Sequence, residues 1–509
     1  MITRRCFLHT SAMLSAASAL PLSRMAWAET VATFQNPILG GDHPDASPVR
    51  VGDDFYLTHS SFDYAPGLIV YHSRDLLNWK PVSAGLRKYY GVVWAPYLCE
   101  HEGHFYIYFP VNGNIFVVHA DRPEGPWSEP VDLGIRAIDP AHIAENGRRF
   151  LHMSGGRVAE LNADGLSVKE KPKHDFDPWP VPADWRIECV CLEGPKVIEH
   201  NGWFYLNVAE GGTGGAATSH SVISARSRHA TGPWEYSPYN PIAHTRSRAE
   251  RWHSVGHGRL VDTAQGKWYM TVHSYEKDYG SLGRQLLLLP IEWTPDGWFR
   301  VPDGITPASA ISVPVPGAAQ LPFDDPTDDF TSSQLGLQWA FWHEYDTDRF
   351  STGHGALVMK ARGSKLSESN PLTTVVGGHS YTVEVDVETD PECESGLALF
   401  YDAQHAVGLV LTAKGVVVRM ANGYQDRREE RGNITRASLR VINDEQEVIF
   451  YYRIAGEQWH RAEAACDVSG LNHNTLGNFL DLRPALFCYG KGQATFKNFR
   501  YWPEVKAPA

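Results

Sequence analysis

Three acidic residues in the first half of the chain have the types and spacing expected of acid–base catalysis: Asp45, Asp139 and Glu193. Each lies seven to nine residues before a glycine that begins a short repeated motif, so a fold with repeat symmetry would bring the three together. Carboxyl groups a few ångströms apart raise each other's pKa, so one can stay protonated while another is ionised. Such a pair suits cleavage of a glycosidic bond, in which one group protonates the leaving oxygen and another activates water.

The repeated motif is a glycine followed, after one or two variable residues, by mostly aromatic residues, which is typical of a tight turn leading into a strand. Its five copies lie between residues 30 and 300, with their glycines 44 to 64 residues apart. This spacing is near or above the length of one four-stranded propeller blade. Because hardly any segment has helical periodicity, the sequence predicts a five-bladed β-propeller over residues 30–300. The turn glycines are Gly52, Gly103, Gly147, Gly202 and Gly266.

The repeat also supplies a register for residues that face the propeller axis. The innermost strand of each blade directs side chains at that axis, so equivalent positions on different blades meet in space. Counting back nine residues from Gly103 and Gly266 adds Trp94 and His257 to the three acids. The sequence therefore predicts that three carboxyl groups, one indole and one imidazole share one mouth of the axis.

The composition and the hydrophobic pattern of the sequence change after Arg300. Residues 301–322 contain five prolines among small residues, which predicts a semi-rigid linker. From residue 323 to 505, alternating runs such as residues 381–387 predict half-buried antiparallel strands, so we expect a β-sandwich of the concanavalin-like jelly-roll kind. The whole chain is thus predicted to be all-β, with two domains, as its 509 residues would suggest.

The first 28 residues are typical of an export signal that is removed from the mature protein. Arg4 and Arg5 begin a twin-arginine motif, an apolar stretch follows, and Ala26-Trp27-Ala28 resembles a cleavage site. The apolar stretch is shorter than the roughly 20 residues that a membrane-spanning helix needs. We therefore expect a bacterial protein that is periplasmic or secreted, without a membrane anchor after the signal is removed.

The net charge limits the classes of partner, and the cysteine content limits the kind of fold. A formal net charge of −13 disfavours nucleic acid and anionic membranes, whereas a neutral oligosaccharide or polysaccharide remains a suitable partner. Six cysteines remain once Cys6 leaves with the signal, and they are too sparse for a disulfide scaffold. We expect them to be buried free thiols, including Cys189 and Cys191. The sequence gives no indication of the oligomeric state.

Ordered sequence blocks also carry a resemblance to glycoside hydrolase family 43. It covers residues 34 to 300, and the C-terminal part resembles the sandwich appended to the β-xylosidase branch of that family. The resemblance implies a hydrolase that inverts the anomeric carbon and acts at chain ends, of the β-xylosidase and α-L-arabinofuranosidase group. The blocks include His43-Pro44-Asp45, Trp94-Ala95-Pro96, Ile138-Asp139-Pro140, Glu193-Gly194-Pro195, Gly256-His257 and Gly283-Arg284.

The resemblance implies a role for each matching residue. Asp45 would be the general base, Glu193 the general acid, and Asp139 the residue that tunes the pKa of the acid and orients it. Two positions depart from the pattern, because Ala46 replaces a proline and Gln285 replaces a glutamate after Arg284. The resemblance further implies that no cofactor is required and that Arg284 reaches the sugar, Phe62 and Trp94 line the pocket, and a structural calcium ion or water cluster lies near His257.

Several alternatives remain open from the sequence. An open groove would suit an endo-arabinanase or a galactan-cutting relative, and a propeller that only binds carbohydrate would use the same acids to bind hydroxyl groups. Ile187-Glu188-Cys189 resembles the acid motif of invertase-type propellers, although Glu193 fits the repeat register better. In the C-terminal domain, the aromatic residues between 339 and 345 form either a sugar-binding surface or, as we favour, part of the core: Trp339, Phe341, Trp342 and Tyr345.

Overall fold

The computed structural model describes residues 32–323, 325–421, 427–430 and 434–508. The twin-arginine signal predicted over residues 1–28 lies outside these ranges. Nearly all regular structure in them is β-strand, with two 3₁₀ turns (Gly280–Leu282 and Leu366–Glu368) and one short helix, α1 (His473–Leu476). Within the same ranges, no helix has the length and apolar character to cross a bilayer.

The first domain consists of five antiparallel sheets in sequence order, one for each predicted blade. Strand β1 (Thr33–Phe34) precedes them. Blade one contains β2 (Ser47–Val51), β3 (Asp54–Thr58), β4 (Tyr64–Ala65, in a connecting loop), β5 (Gly67–Ser73) and β6 (Lys80–Leu86). Blade two contains β7 (Tyr97–His101), β8 (His104–Val111), β9 (Asn114–Ala120) and β10 (Val131–Arg136). Blade three contains β11 (Ala141–Glu145), β12 (Arg148–Met153), β13 (Arg157–Leu161) and β14 (Val168–His174).

The last two blades follow the same plan. Blade four contains β15 (Glu193–His200), β16 (Trp203–Glu210), β17 (Ser221–Ser227), β18 (Glu235–Tyr236) and β19 (Ala243–His244). Blade five contains β20 (Trp252–Asp262), β21 (Trp268–Glu276), β22 (Arg284–Trp293) and β23 (Phe299–Arg300). The first strand of each blade is therefore β2, β7, β11, β15 or β20. The register positions predicted from the repeat lie in or just before these strands: Asp45, Trp94 and Asp139 precede β2, β7 and β11 by two or three residues, Glu193 begins β15, and His257 lies within β20.

The five turn glycines all join the first strand of a blade to the second. Their φ angles lie between 64° and 82°, a left-handed conformation that a side chain would disfavour. The aromatic residues that follow them enter the second strand of each blade, where rings such as Phe55, Phe105 and Phe204 are buried. The repeat therefore encodes a hairpin whose glycine makes the turn and whose rings fill the space between neighbouring blades.

The ends of the propeller domain close on each other. The Ile38 N–H donates to the Leu286 carbonyl at 2.9 Å, so the entering chain runs beside β22 of blade five. Strand β1 pairs with β24 (Ile311–Ser312), which lies within the segment predicted as a linker. Ile311 and Val313 are buried in the propeller core. Residues 301–322 thus lie against the propeller and help to hold the first blade to the fifth.

The C-terminal domain is a sandwich of two antiparallel sheets. One sheet has seven strands in the order β26-β27-β38-β29-β34-β35-β36, and the other contains β33-β32-β31-β30-β37-β28-β25 followed by β4 of the propeller. The strands are β25 (Ala340–Trp342), β26 (Phe350–Gly353), β27 (Ala356–Lys360), β28 (Leu372–Thr373), β29 (Tyr381–Thr389), β30 (Cys393–Phe400), β31 (Ala406–Thr412), β32 (Gly415–Ala421), β33 (Arg427–Glu430), β34 (Arg436–Asp444), β35 (Glu447–Ile454), β36 (His460–Asp467), β37 (Arg483–Gly490) and β38 (Gln493–Trp502).

The two domains share a sheet and a core at their junction. Propeller strand β4 pairs with β25, with Tyr64 opposite Trp342. Trp339, Phe341 and Trp342 are buried in the sandwich core, and Tyr345 packs against it half-buried. The aromatic cluster therefore belongs to the core, as we favoured, and it fixes the sandwich against one face of the propeller.

Candidate active site

The structure brings all seven predicted site residues to one cavity of about 170 Å³. The cavity lies where the first strands of the blades begin. Asp45 precedes β2 by two residues, Asp139 precedes β11 by two, and Glu193 begins β15. The register taken from the repeat thus corresponds to a real convergence of side chains. The seven residues are Asp45, Phe62, Trp94, Asp139, Glu193, His257 and Arg284.

The backbone at these positions adopts an uncommon conformation. Asp45, Asp139 and His257 have φ angles of 60°, 54° and 58°, in the left-handed region that residues other than glycine seldom occupy. Such a conformation costs energy and persists where the surrounding fold enforces it, which is frequently at functional sites. Three blades therefore present their axial side chains through the same backbone conformation.

Asp45 lies in a strongly cationic environment at the inner end of the cavity. The Arg284 guanidinium donates to both carboxylate oxygens, from Nη1 to Oδ1 at 3.0 Å and from Nη2 to Oδ2 at 3.3 Å. His257 Nδ1 lies 2.7 Å from Oδ1, and the Asp45 carboxylate also accepts from the Ser60 hydroxyl. Burial opposes ionisation of Asp45, but Arg284 and His257 outweigh it and hold its pKa well below the usual range. Asp45 is thus an ionised carboxylate.

Glu193 has the opposite electrostatic character. Burial is the largest influence and raises its pKa well above the usual range, and the negative charges of Asp139 and Asp45 raise it further. Asp139 is held in place because its Oδ2 accepts from the Gly194 N–H at 2.8 Å and from the Ser154 hydroxyl at 3.1 Å. Asp139 therefore accepts a hydrogen bond from the backbone beside Glu193. Its negative charge adds to burial in keeping the Glu193 carboxyl group protonated.

Among the residues that the structure describes, the groups near His257 do not form a side-chain cage for calcium. Its buried Nε2 has no hydrogen-bond partner among the described residues, so this nitrogen is free to bind a water molecule. Calcium prefers six to eight oxygen ligands. The polar atoms closest together here belong to Asp45, His257 and His273, and Arg284 already places its positive charge on the only carboxylate. This donor set does not fit calcium, and we assign no step of the reaction to one.

Two buried histidines at the inner end were missed by the sequence reasoning. The Asp45 N–H donates to His273 Nδ1 at 3.2 Å, and His273 Nε2 lies 3.1 Å from the Thr213 hydroxyl. His220 stacks on His273 with ring centroids 5.3 Å apart, and neither of its ring nitrogens has a partner in the described structure. Burial lowers the pKa of both rings, that of His273 to about 3, so both are neutral. Neither lies at a register position of the repeat, so the spacing of the repeat does not point to them.

The C-terminal domain contributes one ring to the cavity. Phe479 lies beside Phe62 with ring centroids 6.5 Å apart, and the Arg284 guanidinium carbon lies 4.9 Å from the Phe479 centroid. No repeat links this region to the propeller, so Phe479 could not be found by the register argument. The sandwich thus closes the inner end of the cavity over Arg284.

A disulfide forms part of the cavity wall, which corrects the expectation of free thiols at these positions. Cys189 and Cys191 are bonded to each other, with their Cα atoms 5.2 Å apart. The bond encloses a single residue, so no cysteine-rich scaffold was needed for it to form. The free cysteines Cys99, Cys393 and Cys488 are buried as expected, whereas Cys466 is only half-buried.

The alternative acid Glu188 also lines the cavity, but its environment differs from that of Glu193. Glu188 is exposed at the mouth, and its Oε2 accepts from the Gly214 N–H at 2.9 Å. Water and one N–H donor thus surround Glu188, whereas Glu193 is surrounded by buried carboxyl groups. Glu193 is therefore the carboxyl group suited to donate a proton.

Gln285 and Arg284 are neighbours in the chain but are held by different acidic residues. Its side chain turns away from the cavity and donates to Glu276 at 3.1 Å. Arg284 is instead fixed through its backbone N–H, which donates to Asp42 Oδ1 at 2.8 Å. Burial and the nearby Asp481 of the sandwich raise the pKa of Asp42 to about 8. The arginine that binds the base therefore rests on a carboxyl group at the domain junction.

A protonated and an ionised carboxyl group facing one cavity on a propeller axis are the arrangement that hydrolysis of a glycosidic bond requires. Comparison with known families extends this conclusion. Residues 34–299 match the model of glycosyl hydrolases family 43, and residues 327–502 match the β-xylosidase C-terminal concanavalin A-like domain. The chain belongs to glycoside hydrolase family 43.

Individual relatives agree along most of the chain. A xylan 1,3-β-xylosidase of a Vibrio species is 30% identical, over 89% of this chain and 92% of its own. A non-reducing end α-L-arabinofuranosidase of Bacteroides ovatus is 29% identical over 75% and 76%. The crystal structure of xylan β-1,4-xylosidase from Bacillus halodurans has a TM-score of 0.81 at 26% identity, covering 92% of this chain and 99% of that one.

These findings confirm the predicted family and the predicted fold, a five-bladed propeller followed by a concanavalin-like sandwich. They also confirm that the protein is a glycoside hydrolase of a family that inverts the anomeric carbon.

Proposed function

We propose that the protein releases single xylose or arabinose residues from the non-reducing ends of xylan or arabinan fragments. The observation that carries this proposal is the shape of the cavity, which is small and closed at its inner end by Arg284, Phe62 and Phe479. A closed pocket admits one terminal sugar, whereas an endo-acting enzyme needs a groove open at both ends. The names of the relatives, two xylosidases and an arabinofuranosidase, support the choice of pentoses.

Asp45 acts in this proposal as the general base and Glu193 as the general acid. Ionised Asp45 removes a proton from water as the water attacks the anomeric carbon, and protonated Glu193 donates to the leaving oxygen. Asp139 keeps Glu193 protonated and fixes the backbone next to it. The opposite pKa directions of the two carboxyl groups support these roles, since each group is already in the form that its step requires.

The decisive experiment is a panel of aryl β-xylosides, aryl α-L-arabinofuranosides, xylobiose and arabinan fragments, with the first product followed by NMR. We expect release of one monosaccharide type, as α-xylose from a β-xyloside or β-arabinose from an α-arabinofuranoside. Retention of configuration would contradict the assigned roles. Release of internal fragments from arabinan or galactan would favour the endo-acting alternative, and binding without release would favour a carbohydrate-binding propeller.

We also propose that the protein is exported to the periplasm or the medium through its twin-arginine motif. Replacing both arginines by lysine, Arg4→Lys with Arg5→Lys, should retain the protein in the cytoplasm. Cell fractionation and measurement of the mature N-terminus test this directly. Export of the double variant at the wild-type level would contradict the proposal.

A further inference from the structure

The cavity has two ends of different character. The inner end is lined by buried side chains, among them Asp45, Phe62 and His220. At the mouth the lining residues reach solvent: Trp94 is 37% exposed, and Glu188 and Cys191 are exposed as well. A terminal sugar held at the closed end would leave the rest of its chain at the mouth. The residues of the mouth therefore face the leaving group.

The loop from Glu188 to Cys191, which we call the disulfide loop, forms one side of this mouth. Its disulfide encloses only Val190. The Glu188 N–H donates to the Gly211 carbonyl at 2.9 Å, and the Gly211 N–H donates back to the Val190 carbonyl at 3.2 Å. A Cβ at Gly212 would lie within 3 Å of Glu188 Oε2 and Cys189 Sγ, so the loop packs directly on that glycine. The loop is thus fastened by a covalent bond and by backbone hydrogen bonds.

Glu188 has hydrogen-bonding capacity that the protein does not use. One oxygen accepts from the Gly214 N–H at 2.9 Å. A glutamate side chain carries two oxygens, each with lone pairs that accept hydrogen bonds, so acceptor sites remain available at the mouth. Hydroxyl groups of a sugar are donors that suit such sites, and the chemistry assigned to the cavity makes no other use of Glu188.

The position of the loop relative to the acid identifies which sugar it meets. Glu193 follows Cys191 by two residues, and the general acid must lie beside the oxygen of the leaving group. We propose that the disulfide loop forms the wall of the subsite that binds the leaving-group sugar, and that Glu188 accepts a hydrogen bond from one of its hydroxyl groups. The inference rests on the proposed function, since it presupposes that a pentose occupies the inner end.

The first test compares two substrates that share a glycone and differ in the leaving group. One is the pentose disaccharide that the wild type hydrolyses, xylobiose or arabinobiose, and the other is the p-nitrophenyl glycoside of the same pentose. Glu188→Gln keeps the shape but turns a donor toward the mouth once its carbonyl accepts from Gly214. We expect kcat/KM to fall about tenfold for the disaccharide and less than threefold for the aryl glycoside, because hydrogen bonds to charged groups are strong.

Glu199→Gln is the matched control, because Glu199 is an exposed glutamate near the far end of the same strand β15. It should leave both substrates at their wild-type values. An equal loss on both substrates, or no loss, in Glu188→Gln would overturn the role of Glu188. Failure of the proposed function would look different, since the wild type itself would then release no pentose from either substrate.

The second test removes the disulfide in the double variant Cys189→Ala with Cys191→Ala. We expect KM for the disaccharide to rise at least threefold more than KM for the aryl glycoside, because a loosened wall no longer holds the leaving sugar. Cys466→Ala serves as the control, since Cys466 lies on β36 of the sandwich and does not line the cavity. Thermal unfolding shows whether the double variant is folded. A folded double variant with the wild-type preference between the two substrates would overturn the role of the loop.

Discussion

Asp45 and Glu193 line the same cavity, yet their surroundings give them opposite protonation states. Burial pushes the pKa of both groups upward. At Asp45 this is outweighed by Arg284 and His257, whereas Glu193 has the carboxylates of Asp139 and Asp45 as its nearest strong influences. The difference teaches that the charged neighbours, more than burial, decide which carboxyl group is the base and which is the acid.

The largest loss of activity should come from replacing either of the two carboxyl groups, Asp45 or Glu193. We expect Asp45→Asn and Glu193→Gln each to lower kcat/KM on a pentose disaccharide by at least about 10³-fold, since each removes one positioned proton transfer. A 2,4-dinitrophenyl pentoside separates the two roles, because its leaving group needs no protonation. Glu193→Gln should regain most of its activity on that substrate and Asp45→Asn should not.

Both variants must be shown to be folded. Glutamine resembles the protonated form of Glu193, so the thermal stability of Glu193→Gln should match or exceed that of the wild type. Asp45→Asn leaves Arg284 without its buried partner and should be less stable. Equal losses of both variants on the dinitrophenyl substrate would contradict the division of roles.

Substitution of Arg284 should have the next largest effect on activity, because the charge of Arg284 is the main cause of ionisation at Asp45. In Arg284→Gln we expect the pKa of Asp45 to rise, so the acidic limb of the pH profile of kcat/KM should move up by about one to two pH units. Activity at neutral pH should fall about 10²-fold, since the family resemblance implies that Arg284 also binds the sugar. Arg284→Lys keeps the charge but not the two-pronged contact, so its acidic limb should move less.

An unchanged acidic limb in Arg284→Gln would show that His257 alone holds Asp45 ionised. The removal of a buried arginine also threatens the fold, so unfolding curves of both Arg284 variants are needed beside the kinetics. The comparison of glutamine with lysine is informative only when both are folded.

The parts of the molecule that repeat were predictable from the sequence. Gly52 and its four counterparts set the number of blades, and the register they supply predicts that Asp45, Asp139 and Glu193 lie together. This worked because symmetry converts sequence spacing into spatial position. The alternating runs of the C-terminal domain predicted its sandwich for the same kind of reason, since a period of two is a property of strands.

The parts that do not repeat were not predictable from spacing. His220 and His273 lie outside the register, and Phe479 comes from a different domain, so no periodicity points to them. The Cys189–Cys191 bond depends on a loop geometry that gives no compositional signal. His273 lies within β21 and His220 directly before β17, on strands that are not the first of a blade. Phe479 and the disulfide are placed by the way the sandwich and the connecting loops pack on the propeller, which is a tertiary property.

Substitution of Asp139 tests what keeps Glu193 protonated, and we expect it to lower activity less than substitution of Arg284 does. Asp139→Asn removes one negative charge near Glu193 and so lowers the pKa of Glu193, while burial still raises it. The alkaline limb of the pH profile should therefore move down by about one pH unit, with roughly tenfold less activity at neutral pH. Ser154→Ala is the control, since it removes a hydrogen bond to Asp139 but no charge. An unmoved alkaline limb in Asp139→Asn would contradict the tuning role.

The smallest expected effect concerns Asp42. Like that of Glu193, its pKa is raised by burial and by another acidic residue, here Asp481. Its folded pKa of about 8 exceeds the unfolded value, so the folded state binds the extra proton between about pH 4 and 8 and loses stability as pH rises through that window. Asp42→Asn should remove this loss and raise Tm at pH 8 by about 2 °C. Asp481→Asn should bring no such gain, because Asp481 pairs with Arg483 at 2.6 Å. Parallel Tm curves for Asp42→Asn and the wild type from pH 5 to 8 would show that Asp42 is ionised in the folded protein and that Arg284 dominates this carboxyl group as it does Asp45.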